Sequence, residues 1–256
     1  MVHSESLESR VPQCRYSPNK TRLVLSSHQI DPDTWQCPGE PYSPGCSGGE
    51  TYVRCESTDV RLEAARAMQW ASGEMGCPSP GIERLTIWQG GRVPIALRYT
   101  DKSQAIYVTT REPRERMLYQ LAHEVVHCIC TPEYPWADPS VHEMLAETFA
   151  IRWIDQNGYE EYAASLASKR MGDAARISAR EFFDHRLDMP PITDSEAYYG
   201  RAYERGALIT ASVGWASFAT MAQFIGDDGG FASRHWLQKH VPSTHREVVA
   251  SLLERP

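Results

Sequence analysis

Residues 119–130 read YQLAHEVVHCIC, a largely apolar, helix-favouring stretch with His123-Glu124-Val125-Val126-His127 at its centre. In an α-helix, positions i and i+4 share a face, so the two imidazoles project side by side and can chelate one ion. Glu124 is rotated by about 100° from His123, still within reach of a water held by that ion. Leu118, Leu121, Val125 and Ile129 form an apolar stripe that can enter a core while the histidines line a cleft.

A zinc site that acts on a substrate takes three protein ligands and keeps a fourth position open. Residues 142–150 read HEMLAETFA, and Glu143 lies sixteen residues past His127. It falls on a helix announced by Asp138-Pro139, an N-cap followed by a proline in the first helical position. Thr131 to Ala137, with Pro132 and Pro135, supplies the reversal. Glu147, one turn on along the same face, can accept the free N–H of a ligand imidazole and fix its tautomer. Two other readings stay open: Glu143 as a helix-dipole acid or the end of a Ser140-x-x-Glu143 capping box, and Glu133 as the third ligand. His142 points about 100° away from Glu143, so at most one of them faces the ion. Cys128 and Cys130 turn away from the histidine face, as buried thiols do.

Outward from this centre the chain divides by composition. Residues 1–57 form an irregular segment rich in Cys and Pro, with turn-forming residues crowded over 31–50. Val60, Ala64, Ala67, Met68 and Ala71 repeat at helical spacing from Thr58 to about Ser72. Leu85–Trp88, Val93–Tyr99 and Ala105–Thr109 read as strands, the last two joined as a hairpin through Thr100–Ser103. Helices are expected over Arg114–Cys130, Ser140–Asp155, Glu160–Arg170, Ala174–Asp184, Glu196 to about Phe224, and Arg246–Leu253. The last carries a capping box at Thr244–Glu247. Gly206–Gly226 is the longest uncharged stretch, but Thr210, Ser212, Ser217, Thr220 and Gln223 make it a buried core helix rather than a membrane span. The expected fold class is α+β, mostly helical, with a catalytic core over 58–157 and a helical C-terminal subdomain over 158–256.

Lys+Arg 26 against Asp+Glu 33 gives a net charge of −7 with no basic run, which argues against a nucleic-acid partner. A chain of 256 residues, 41% hydrophobic, can hold a core without a structural ion, so a bound metal would be functional. Met1–Pro12 contains no apolar leader, which makes a cytoplasmic location the expectation. The seven cysteines, with Cys14, Cys37, Cys46 and Cys55 in the N-terminal segment, contain no C-x₂₋₄-C knuckle. Plain thiols, disulfides and a second metal site all remain open for them. Oligomeric state is not legible.

YQLAHEVVHCIC followed by HEMLAETFA resembles the zincin metallopeptidases of the gluzincin kind, in which a glutamate from a downstream helix joins an HExxH pair. Glu143-x-x-Ala146-Glu147-x-Phe149-Ala150 is also similar to an element of the ImmA/IrrE-type peptidases. It departs from that element at Glu147, where Asn or Asp is usual, and at Arg152-Trp153-Ile154-Asp155 beyond it. The resemblance implies one Zn²⁺ per chain on His123, His127 and Glu143, Glu124 as general base, and a peptide or protein substrate. It also implies the minimal zincin fold, with the cleft beneath an edge strand; Ala105–Thr109 is the strand expected to hold an extended peptide. A tyrosine or histidine that steadies the oxyanion would be one of Tyr198, Tyr199, Tyr203, His235 and His240. The competing reading is a zinc-binding regulatory or sensor protein whose catalysis is gated by a partner or lost.

Overall fold

The computed structural model describes residues 52–54, 58–75, 84–89, 94–98, 103–109, 113–129, 139–184, 194–224, 241 and 243–253. Cys14, Cys37, Cys46, Cys55, Cys130, Glu133, His235, His240 and the reversal over Thr131–Ala137 lie outside them. In chain order the elements are β1 (Tyr52–Arg54), α1 (Thr58–Met75), β2 (Arg84–Gln89), β3 (Ile95–Arg98) and β4 (Ser103–Val108). The helices α2 (Arg114–Ile129), α3 (Pro139–Gln156), α4 (Glu160–Ala174), α5 (Ala179–Asp184), α6 (Ser195–Val213), α7 (Trp215–Phe224) and α8 (Ser243–Leu253) follow. Helix dominates. No described helix is long and apolar enough to cross a membrane.

The four strands form one sheet in the order β1-β2-β4-β3. β1 runs parallel to β2, and β2 parallel to β4, with Ile87 opposite Ile106. β3 closes the sheet antiparallel to β4, with Ala96 opposite Ile106. β4 is therefore an interior strand, and the strand expected to receive a peptide at the sheet edge is not at the edge; β3 is. The reason lies in burial: Gln104 to Val108 are buried without a break, as a strand covered on both faces and both sides must be. A hairpin pattern alone does not say which of its strands a third one joins.

Four further differences are local. Tyr52–Arg54, inside the segment expected to be irregular, is extended and pairs with β2. The helix expected to begin at Ala174 begins at Ala179, because Ser178 and Glu181 form a reciprocal capping box. The Ser178 N–H donates to Glu181 Oε2 at 2.8 Å, and the Glu181 N–H donates to Ser178 Oγ at 3.1 Å. The long helix expected through Gly206–Gly226 breaks at Gly214, which adopts φ +78° and donates its N–H to Thr210 O at 2.8 Å. Only glycine takes that conformation without strain. α8 begins at Ser243, so Thr244 lies inside the helix rather than capping it.

The core that positions the site lies between the sheet and α1, α2 and α3. Gln104 Nε2 donates to Cys128 O at 3.2 Å, and Thr109 N and Oγ1 donate to Gln120 Oε1 at 3.2 and 2.9 Å. These bonds pin β4 to α2 while Leu118, Leu121, Val125 and Ile129 are buried beside it. Cys128 is buried in this core and takes part in no disulfide. Trp70, Phe149, Trp153 and Trp215 cluster where α1, α3 and α7 meet, with Trp70 and Phe149 centroids 4.7 Å apart. α6 lies directly against α4 and α3 through its glycines. A Cβ on Gly200 would stand 2.6 Å from Arg170 O, and one on Gly206 would stand 2.4 Å from Met144 O.

Candidate metal centre

Tyr119, His123 and His127 are spaced by one helical turn along α2 and face α3. His123 Nε2 and His127 Nε2 lie 3.1 Å apart. From α3, Glu143 brings Oε2 to 3.2 Å from His123 Nε2 and Oε1 to 3.4 Å from His127 Nε2. The ligand atoms of His123, His127 and Glu143 all lie within 4.8 Å of one another. This group could hold a metal ion. The capping-box reading of Glu143 does not describe the structure, because α3 begins at Pro139 and Ser140 lies inside it, with its Oγ donating to Phe182 O at 3.2 Å.

The donor set fits a divalent cation. Two imidazole nitrogens and a carboxylate converge, and Glu143 Oε2 is buried without completing a hydrogen bond. Glu147 pairs with the Arg170 guanidinium, whereas the groups that act on the Glu143 carboxylate are the imidazoles of His127, His123 and His142. With those imidazoles neutral the buried Glu143 charge lacks a counter-charge, which is costly and which a divalent cation would supply. In the metal-free chain, protons meet part of that demand. Burial alone would depress His123, but Glu143 and Glu147 on its two nitrogens outweigh it and hold the imidazole well above its ordinary value. Burial lowers His127 to about 4. Glu143, despite burial, is held down at about 2 by His127 and His123.

Glu124 is 5% exposed, and burial together with the charge of Glu143 raises its carboxyl to about 7. Its carboxylate accepts a hydrogen bond from the backbone N–H of Ala96, which places it beneath the edge strand β3. A carboxyl poised near neutrality can both accept and release a proton. Glu147 is fully buried and brings Oε2 to 3.3 Å from His123 Nδ1, on the side of the ring away from Glu143.

His142 neighbours Glu143 in sequence but not in role. Its ring stacks on that of His127 at 6.2 Å, and burial holds it down at about 3, a neutral imidazole hydrogen-bonded to the backbone of Ala222. Of the three candidate oxyanion donors among the described residues, Tyr198, Tyr199 and Tyr203, the structure brings Tyr199 to the site. Its ring centroid lies 5.9 Å from that of His123, edge to face, and the charge of Glu143 together with burial raises its hydroxyl. Tyr198 turns away to Phe182 and to Ser140 Oγ at 3.5 Å. Tyr203 lines a separate groove with Thr148, Ile151 and Trp215.

Two participants were not singled out by sequence reasoning. Arg170 Nε donates to Glu147 Oε1 at 2.6 Å, and its guanidinium lies 5.4 Å from the centre of the Tyr199 ring. Tyr119 donates its hydroxyl to Glu147 Oε2. Both left a sequence signal. Tyr119 stands four residues before His123, and Arg170 interrupts the small-residue stripe Ala163, Ala167, Ala174 on the buried side of α4, where a charge needs a partner.

No family model matches this chain, and no curated protein matches it. Among solved structures, it is similar to the crystal structure of an aminopeptidase N family protein from Idiomarina loihiensis. The TM-score is 0.53 at 12% sequence identity, over 82% of this chain and 46% of that one. The likeness is one of fold, and this chain spans less than half the length of its neighbour.

Proposed function

We propose that the chain is a zinc-dependent metallopeptidase built on a minimal zincin core over 58–157, with the helical subdomain 158–256 packed against it. The observation that carries this reading is the convergence of His123, His127 and Glu143 beside a buried Glu124 whose carboxyl sits at about 7. The likeness in fold to an aminopeptidase N family protein supports it. His123, His127 and Glu143 are the residues that would hold one Zn²⁺. When bound, that ion supplies Lewis acidity to a peptide carbonyl and lowers the pKa of water toward neutrality.

The chain's own residues do the rest. The free edge of β3 offers main-chain groups to an extended peptide or protein substrate. Glu124 accepts a proton from the attacking water and returns it to the amide nitrogen as the C–N bond breaks. Tyr199 donates its hydroxyl to the oxygen on which negative charge develops, and its raised pKa keeps that proton in place. Glu147 holds the Nδ1 proton of His123 so that Nε2 keeps its lone pair for the ion.

The test is hydrolysis of a mixed peptide library by zinc-loaded protein, with Glu124→Gln as control. Wild type should cut, and the variant should lose about 10²–10⁴ of the rate. A zinc-loaded wild type that cuts no peptide overturns the reading.

A further inference from the structure

Behind the ligand pair lies a closed hydrogen-bond ring drawn from three helices. Glu147 on α3 gives Oε1 to Arg170 Nε on α4 at 2.6 Å. Its Oε2 receives the Tyr119 hydroxyl from α2 and lies 3.3 Å from His123 Nδ1. Arg170 Nη2 closes the ring by donating to the Tyr119 oxygen at 3.1 Å. The Glu147 side chain is 0% exposed and that of Arg170 10%. A carboxylate has two oxygens and one rotatable plane, so fixing Oε1 on the guanidinium fork sets where Oε2 points.

We propose that Arg170 is a positioning residue of the metal centre: through Glu147 it sets the orientation of His123 and so the affinity of the site for zinc. This inference rests on the zinc reading of His123, His127 and Glu143. Its consequence is that α4, outside the stretch that carries the ligands, belongs to the site. Without Arg170, the Glu147 carboxylate would lose the partner of Oε1 and keep only what lies on Oε2, the Tyr119 hydroxyl and His123 Nδ1, so its plane would be free to rotate off Nδ1. The backbone that carries Arg170 is close-packed against α6: a Cβ on Gly200 would stand 2.6 Å from Arg170 O. The guanidinium also lies over the face of Tyr199, so one side chain steadies both a ligand imidazole and the nearest tyrosine.

The experiment measures Zn²⁺ affinity by competition with a chromophoric chelator, and the visible spectrum of Co²⁺-loaded protein, for wild type, Arg170→Met, Arg170→Lys, Glu147→Gln and the double variant Glu147→Gln/Arg170→Met. Groups that orient a ligand imidazole change metal affinity by about 10–100-fold. Arg170→Met should weaken zinc by at least about tenfold and alter the Co²⁺ spectrum, and Arg170→Lys should recover part of both. In the Glu147→Gln background, Arg170→Met should add less than about threefold, because the two act through one path. Arg170→Met that folds, binds zinc as wild type does and keeps its Co²⁺ spectrum would overturn the proposal and leave the pair as a structural ion pair. If Arg170→Met does not fold, Arg170→Lys decides, since one ammonium cannot reproduce the two-armed contact: unchanged affinity and spectrum overturn the proposal. A wild type that binds no zinc overturns the metal reading and the positioning role with it, an outcome distinct from the others.

Discussion

His123 Nδ1 lies 3.3 Å from Glu147 Oε2, an ion-pair contact short of a completed hydrogen bond, so the imidazole that offers Nε2 toward His127 and Glu143 has a carboxylate of the next helix at its back. The same carboxylate is the counter-charge of Arg170, whose side chain is 10% exposed. Glu147→Ala should therefore cost about 3–5 kcal/mol of stability, because it leaves a guanidinium buried without its partner. Urea denaturation of the metal-free protein reads this cost, and a loss below about 1 kcal/mol would show that water or another acceptor takes over.

Tyr199→Phe removes a hydroxyl and keeps the ring packed on His123 and beneath Arg170. Loss of one oxyanion donor costs about 10²–10³ in turnover. The expected outcome is a fall of that size in kcat with KM little changed and zinc content intact. Tyr203→Phe, in the separate groove, should leave both constants near wild type.

The parts of this molecule that were legible in the sequence are those set by local periodicity. HEVVH on an apolar helical stripe and Glu143-xxx-Glu147 behind Asp138-Pro139 need only the 3.6-residue repeat to put their side chains on shared faces, and the structure brings the two faces together. What was not legible depends on long-range choices. Which strand of the hairpin joins β2, and so whether β3 or β4 is the edge, is settled by packing across the sheet. The choice of Tyr199 over Tyr198 turns on how α6 sits against α3 and α4, and adjacent residues there face opposite ways. Arg170, 47 residues after His123, meets Glu147 only because α4 folds back along α3. The break at Gly214 is one residue wide inside an apolar run, so periodicity passes over it while backbone conformation does not.

Gly206→Ala should destabilise the fold and disturb the site together. Its Cβ would stand 2.2 Å from Thr148 Oγ1 and 2.4 Å from Met144 O, and the latter is backbone that cannot step aside. Overpacking of this kind costs about 1–3 kcal/mol. Because α6 carries Tyr199, the variant should also lose turnover beyond what its lower Tm explains. Gly73→Ala, where nothing lies within 4 Å, is the control on α1 and should leave stability unchanged or raise it by up to about 1 kcal/mol.

The metal-free protein should lose stability in mild acid. Burial holds His127 at about 4 and His142 at about 3, both below the ordinary 6.5. As pH falls from 6.5 the unfolded chain takes up protons that these folded imidazoles refuse, so each removes up to about 1.4 kcal/mol per pH unit until its folded value is reached. His123 acts in the opposite sense. Its raised value adds stability below 6.5 that is lost only as pH rises through the folded pKa. Glu143, lowered to about 2, adds stability above 4.5 that is lost as pH falls toward 2. His142→Gln removes one of the two acid liabilities, so denaturation in chelator between pH 6 and 4 should show a slope shallower by about 1.4 kcal/mol per unit. An unchanged slope would mean that His142 titrates normally.

If His123, His127 and Glu143 together hold one zinc ion, elemental analysis of purified wild type beside His123→Ala and Glu143→Ala should find about one zinc per chain in wild type and loss of that zinc in both variants. Zinc retained at full content in Glu143→Ala, or no zinc in wild type after it is supplied, would contradict that reading.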